Sequence, residues 1–442
     1  MANNLHHFVP NQFRALLPTI LRHTIPVACG LPLFTFDALA QNTSAPQSEK
    51  LGAAMQTTSP TGATTLTSPS AWDAFRYPVP PMSPSWRSGD LSVQVVANTG
   101  ITYDDSILQS SAQAERDFIW EFSPQFRARW EPASWATGNM LELAYSPQAQ
   151  VYFDHGSLDT VNHSGGISLA WSRGKTTVDF NHQAALTSQP ELIQTGRDRQ
   201  HQENTTLSIT REVGARTRLD TRLHNNYNQV QGGLSNWEFG GGEMLDYLVR
   251  ERLAIGAGYG LSYADSGSVF QALIHEPQVE LKWLLAERTR IGIATGVEIL
   301  CPTGTSGGDT KSGLMVNATA SHTLTDKTSL QLGLSRNQRP SRYAGGQLDE
   351  LSQATFGVSY QLSERIRAST TGSYGYNTQT AYSSSVTSAG SYSYWQAGLS
   401  LDYSLTARMG MSLSYSHSWR ESNLATTAFD RNTASLGLSY RL

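Results

Sequence analysis

From Leu91 to the final Leu442, apolar side chains return at every second position, in segment after segment. The closing run NTASLGLSYRL shows the pattern. Leu442, Tyr440, Leu438, Leu436 and Ala434 share one parity; Arg441, Ser439, Gly437, Ser435 and Thr433 share the other. A period of two belongs to a β-strand with one apolar and one polar face. LSVQVVANTGITY puts Leu91, Val93, Val95, Ala97 and Ile101 on one side. FIWEFSPQFRARW does the same with Phe118, Trp120, Phe122, Phe126, Ala128 and Trp130, opposite Glu121, Ser123, Gln125, Arg127 and Arg129.

Eighteen such segments can be read, the first at 90–103 and the last at 431–442. The count drops to sixteen if the hairpin 163–185 is misread. The connections fall into two kinds. SRGK, EVGAR, RER, AER, LTDK, LSER and LTAR are short. DDSILQSSAQAE, LTSQPELIQTGRDRQHQEN, PTGTSGGDT and NQRPSRYAGGQLDE are long and polar. Short turns at one rim and long loops at the other, with an even strand number, describe an outer-membrane barrel. The fold class expected is therefore all-β: a transmembrane antiparallel up-and-down β-barrel with long extracellular loops and short periplasmic turns. A soluble sandwich would hide its apolar face against a second sheet. It would not line the other face with Gly, Ser, Gln and charges along the whole chain. A closed barrel with lipid outside and water inside explains both faces and leaves no unpaired backbone in the hydrocarbon.

Composition agrees. Charged residues make up 15% of the chain, against roughly 25% in soluble domains. The net charge of -4 offers no basic excess for nucleic acid. Cys29 and Cys301 supply neither a zinc set nor an internal disulfide in the barrel.

Residues 1–40 read as an export signal, with Arg14 and Arg22 ahead of the apolar TIPVACGLPLFTF and a small-x-small site at Ala38-Leu39-Ala40. Residues 41–89 are rich in Ser, Thr and Pro and read as a flexible periplasmic segment. Residues 90–442 form the barrel.

Tryptophans are expected at the two lipid–water interfaces. Trp130, Trp171 and Trp283, with Tyr440, fall near periplasmic ends; Trp120, Trp237, Trp395 and Trp419 fall near extracellular ends. Pro124 and Pro147 each lack an N–H in a barrel that has no free edge, so a β-bulge is expected near both.

The inward parity carries the candidate pore-lining charges: Arg127, Arg129, Glu142, Asp179, Arg218, Asp220, Arg222, Asp246, Glu280, Lys282, Glu298 and Asp402, with His224 and Arg290. In a wet bore such charges are tolerated and set ion selectivity. Arg218 and Arg222 flanking Asp220 suit either a constriction or a salt-bridge ladder bracing the wall. RNQRPSR (Arg336, Arg339, Arg342) is expected to be a solvated loop, the alternatives being that it folds inward or faces lipopolysaccharide.

Hydrolase chemistry finds little support. His163 and Ser164 are adjacent, so a strand turns them to opposite faces. Asp104 and Asp105 could hold a cation through oxygen, but lone surface carboxylates more often solvate a loop. No Asp-x-His partner occurs for them, and Asp154-His155 again splits faces. No catalytic residue, metal or cofactor is expected.

The first hairpin, ITYDDSILQ…AERDFIWEFSPQF, carries a Tyr-Asp-Asp-polar-Ile stretch, a polar loop, Asp-x-Ile and a strand proline. At Tyr103, Asp104, Asp105, Ile107, Asp117, Ile119 and Pro124 it resembles the β-barrel porin 2 group of Gram-negative outer-membrane proteins. Ser106 departs from the group's preferred Asn, and Leu442 stands where outer-membrane assembly signals usually end in Phe. The resemblance implies an outer-membrane barrel and little about substrate. The expectation is a porin-like channel for small hydrophilic solutes, with a connection to polysaccharide as its finer reading. The alternatives are a structural or adhesion barrel with a loop-plugged lumen, and an outer-membrane hydrolase. Expected partners are lipid, lipopolysaccharide and the assembly machinery that reads the C-terminal strand; the sequence is silent on oligomeric state.

Overall fold

The computed structural model describes residues 84–442 apart from 109–114, 136–137, 189–198, 231–234, 268–270, 304–308, 341–346, 382–389 and 423–427. The export signal, nearly all of the flexible segment, Arg342 and most of the long loops lie outside the described residues. Trp86–Ser88, at the end of that segment, forms a short strand, β1, which pairs with β2 (Leu91–Asp104).

The alternating segments become long strands in chain order: β3 (Asp117–Trp130), β4 (Met140–Tyr152), β5 (Thr160–Arg173), β6 (Thr176–Thr187) and β7 (Gln200–Glu212). Next come β8 (Thr217–Val230), β9 (Ser235–Arg250), β10 (Leu253–Asp265), β11 (Gln271–Ala286), β12 (Thr289–Pro302) and β13 (Lys311–Thr325). The last six are β14 (Thr328–Pro340), β15 (Gln347–Ser363), β16 (Ile366–Ala381), β17 (Ser391–Ser404), β18 (Met409–Ser422) and β19 (Phe429–Arg441). Each pairs antiparallel with the next, and β19 pairs with β2 from Thr433↔Asp104 to Arg441↔Val96. The eighteen strands β2–β19 therefore form a closed barrel. The 163–185 hairpin is real, which rules out sixteen strands.

Closure follows from the period of two. On β3 the outward Phe118, Trp120, Phe122, Phe126 and Trp130 are exposed, whereas the inward Asp117, Ile119, Ser123 and Arg129 are buried. Leu436, Leu438 and Tyr440 on β19 continue the exposed apolar coat. Such a surface is stable against acyl chains and not against water. Among the described residues no helix is long and apolar enough to cross a membrane; the strands are what cross.

The prolines depart from the expected bulge. The β3–β4 ladder runs to Phe122↔Ala149 and resumes at Phe126↔Tyr145 with no change of register. Counting inward from both ends, Pro124 stands directly opposite Pro147. Their two missing N–H groups coincide in one gap, while Ala97↔Pro124 and Pro147↔His163 keep the ladders on either side. A matched pair of prolines thus opens one rung without shifting a strand, so the faces beyond it stay in phase.

The closing seam is pinned at its outer end. Arg431 grips Asp104 with Nη2 at 2.6 Å and Nε at 3.0 Å. Asp105 accepts the Asn432 N–H at 2.6 Å and its Nδ2 at 2.7 Å. The two aspartates are neither a cation site nor loop solvation: each holds the last strand to the first.

Candidate functional site

The β14–β15 hairpin leaves the wall at its outer end. Pairing of β13 with β14 stops at Val316↔Arg336, yet β14 and β15 stay zipped to Pro340↔Leu348. Leu348 shares the parity of the outward Phe356 and Tyr360, but it is fully buried. It packs with Ala264, Ala272, Ile274 and Leu300, all of lumen-facing parity on β10, β11 and β12. The outer face of the hairpin tip therefore rests on the inner wall of β10–β12. The tip, here the described residues Gln338–Pro340 and Gln347–Leu348, is folded into the bore.

Charge fixes it there. Arg339 Nη1 lies 2.6 Å from Glu298 Oε1 and Nη2 lies 2.7 Å from Glu276 Oε1, with Nε 3.7 Å from Glu238 Oε1. The Gln338 N–H donates to the other Glu298 oxygen. One guanidinium thus meets three carboxylates from β9, β11 and β12. Its fork is suited to such multiple contacts. The ladder between β11 and β12 is open between His275↔Ile299 and Gln278↔Gly296, where Pro277 offers no N–H. Glu276 and Glu298 project from that opening. Gly313 makes room for the tip: a Cβ there would lie 2.7 Å from Gln338 Oε1. The expected solvated loop is thus corrected for Arg339. Arg336 pairs with Glu350 instead.

A second network lies nearer the periplasmic end. Asp246 Oδ2 receives Arg218 Nη2 at 3.0 Å and Lys282 Nζ at 2.8 Å. Arg218 also meets Asp220 at 2.8 Å, and Lys282 meets Glu280 at 2.9 Å. The Asp246 side chain is only 1% exposed. These groups lie flat along β8–β11, which favours the ladder reading over a constriction. Gly256, on the strand between them, has no side chain because a Cβ would collide with Asp246 Oδ1. At the periplasmic mouth Arg129 holds Glu142 through Nε at 2.8 Å and Nη2 at 2.7 Å. Arg127, 3.3 Å from the same carboxylate, keeps 45% of its side chain exposed.

The remaining candidates take inward places, and His224 reaches the hairpin network through Glu238. Asp179 stands opposite Ser208, Arg222 opposite Gly242, Arg290 opposite Ser321 and Asp402 opposite Arg367. His224 Nε2 is 3.3 Å from Glu238. Trp120, Trp130, Trp237, Trp283, Trp395 and Tyr440 are exposed on the outward face, and Trp171 and Trp419 are half-buried there. At the outer rim Asp117 accepts the Asp154 and His155 N–H groups and a His155 ring nitrogen at 2.9 Å. It ties down a turn. Sequence reasoning missed Leu348, Glu276 and Glu238. The signals present were an apolar Leu in a polar loop and further acids on the inward parity.

No protein-family model and no curated protein matches the chain. Solved structures do. Pseudomonas aeruginosa OccK2 (OpdF) in complex with glucuronate aligns at 14% identity and TM-score 0.44, covering 80% of this chain and 100% of that one. OpdK of the same organism with vanillate aligns at 12% and 0.42, covering 79% and 98%. Acinetobacter baumannii OccAB3 aligns at 10% and 0.42, covering 80% and 99%. Likeness at this level stands beside the strand order and carries no inference about a solute.

Proposed function

We propose that the protein is an outer-membrane channel through which small hydrophilic solutes pass down their gradients, narrowed on the outer side by the β14–β15 hairpin. One observation carries the reading: a closed eighteen-strand barrel whose inner face bears charged networks. A barrel of this size commonly encloses an aqueous bore, and only a wet bore makes this density of inward charge tolerable. At the hairpin one cation meets three carboxylates, so the narrow zone favours cations over anions. Location in the outer membrane, contact with lipopolysaccharide and assembly through the β19 strand belong to the same proposal. Membership of the porin 2 group and passage of sugar chains rest on the first hairpin alone.

The inward tip also favours the second reading, a structural barrel plugged by its loops. Liposome swelling separates the two. Proteoliposomes holding the full chain should swell in iso-osmotic arabinose or glucose and swell progressively less with larger sugars. No swelling with the smallest sugar would establish the plug.

A further inference from the structure

On the lipid face of β6–β9 the apolar coat is interrupted. Glu243 faces outward on β9 and is exposed. His182 faces outward on β6, its Nδ1 3.3 Å from Thr205 Oγ1. Their depths follow from the ladder. Val178, Ile209, Thr221 and Glu243 form one hydrogen-bonded row across β6, β7, β8 and β9. With strands about 4.8 Å apart and tilted about 40°, each step along a row climbs about 3 Å and each residue along a strand climbs about 2.5 Å. Glu243, three strands along from Val178, lies about 9 Å above it, and His182, four residues up β6, about 10 Å above it. The same reckoning puts Trp171 about 12 Å below Glu243 and Trp237 about 15 Å above it. Both polar groups therefore sit at one depth, midway between the girdles. A carboxylate on the lipid face there is costly, and among the described residues Glu243 has no cation partner.

We infer that β6–β9 is the interface of a two-fold dimer of this chain, in which His182 of each copy meets Glu243 of the other. Symmetry within a membrane turns about the normal and preserves depth. A two-fold axis passing between β7 and β8 brings β6 of one barrel opposite β9 of its mate, so a group on β6 must match one on β9 at the same height. His182 and Glu243 satisfy that condition and are complementary. Between them Leu207 and Leu223 supply an apolar centre. Leu223 leans over Gly241 beside Glu243, into the space that a Cβ would occupy, which extends the apolar centre to the edge of the carboxylate.

The test uses the full chain in outer membranes of an expression host, with Cys301→Ala as background. The double variant His182→Cys/Glu243→Cys, treated with a short bis-maleimide, should give a band at twice the monomer mass; either single variant should not. Heat-modifiable migration of the untreated sample checks that the barrel is folded. A second arm measures mass in mild detergent: His182→Glu, which sets carboxylate against carboxylate, should shift dimer to monomer, and the exchange His182→Glu/Glu243→His should restore the dimer. A folded double-cysteine variant with no cross-linked band overturns the inference. So does a band of any other mass, which assigns the face to a different occupant.

Discussion

Arg339→Ala should raise single-channel conductance by a factor of about two and sharpen the preference for cations. The side chain is the cation shared by Glu238, Glu276 and Glu298. Without it three carboxylates face one another, and Glu298, fully buried at its side chain, keeps only the Gln338 N–H. Mutual repulsion and the lost clamp free the tip, leaving Leu348 on its apolar seat as the remaining hold. The cross-section widens and the exposed carboxylates draw cations. Planar-bilayer recording with a salt gradient reads both effects, as step size and as reversal potential. Arg339→Lys should fall between, since a compact ammonium lacks the wide planar fork by which the guanidinium spans Glu238, Glu276 and Glu298. Adding Glu298→Gln to Arg339→Ala should return the selectivity partway without restoring the narrow step. An unchanged conductance in the alanine variant would mean that the tip does not limit the bore.

Asp246→Ala should cost the barrel about 1–3 kcal/mol, below the 3–5 kcal/mol of a fully buried pair because lumen water screens the cations left behind. Arg218 and Lys282 both converge on Asp246 Oδ2. Once it is removed, two positive groups share Asp220 and Glu280 across the space that Gly256 keeps open. The change reads as a lower urea midpoint for loss of the heat-modifiable band. Asp246→Ala/Lys282→Met, which removes one of the two cations, should recover most of the loss. Equal midpoints for wild type and single variant would assign the network no structural weight.

These two networks show where sequence reading stops. Strand number, strand parity and the alternation of turns and loops are legible because they follow from a local period of two, repeated between short, charged turns such as LTDK and LSER. The inward charges are legible for the same reason, but their function is not. Arg218 and Asp220 have the parity of pore lining whether they project or lie flat, and the choice is made by Asp246 and Lys282 on strands that only closure brings near. The hairpin tip is less legible still. Leu348 has lipid-facing parity and becomes buried only because β14 and β15 bend away from β13, a contact between distant parts of the chain. Pro124 and Pro147 teach the same lesson: each alone suggests a bulge, and only the register reveals that they face each other.

The claim at the centre is a continuous water-filled bore through an eighteen-strand wall. Single-channel recording of the purified full chain in a planar bilayer tests it most directly. The account predicts discrete, stable conductance steps that scale with bulk salt conductivity and reverse on the cation side in a gradient. A folded, heat-modifiable protein that inserts and yet shows no steps would contradict it.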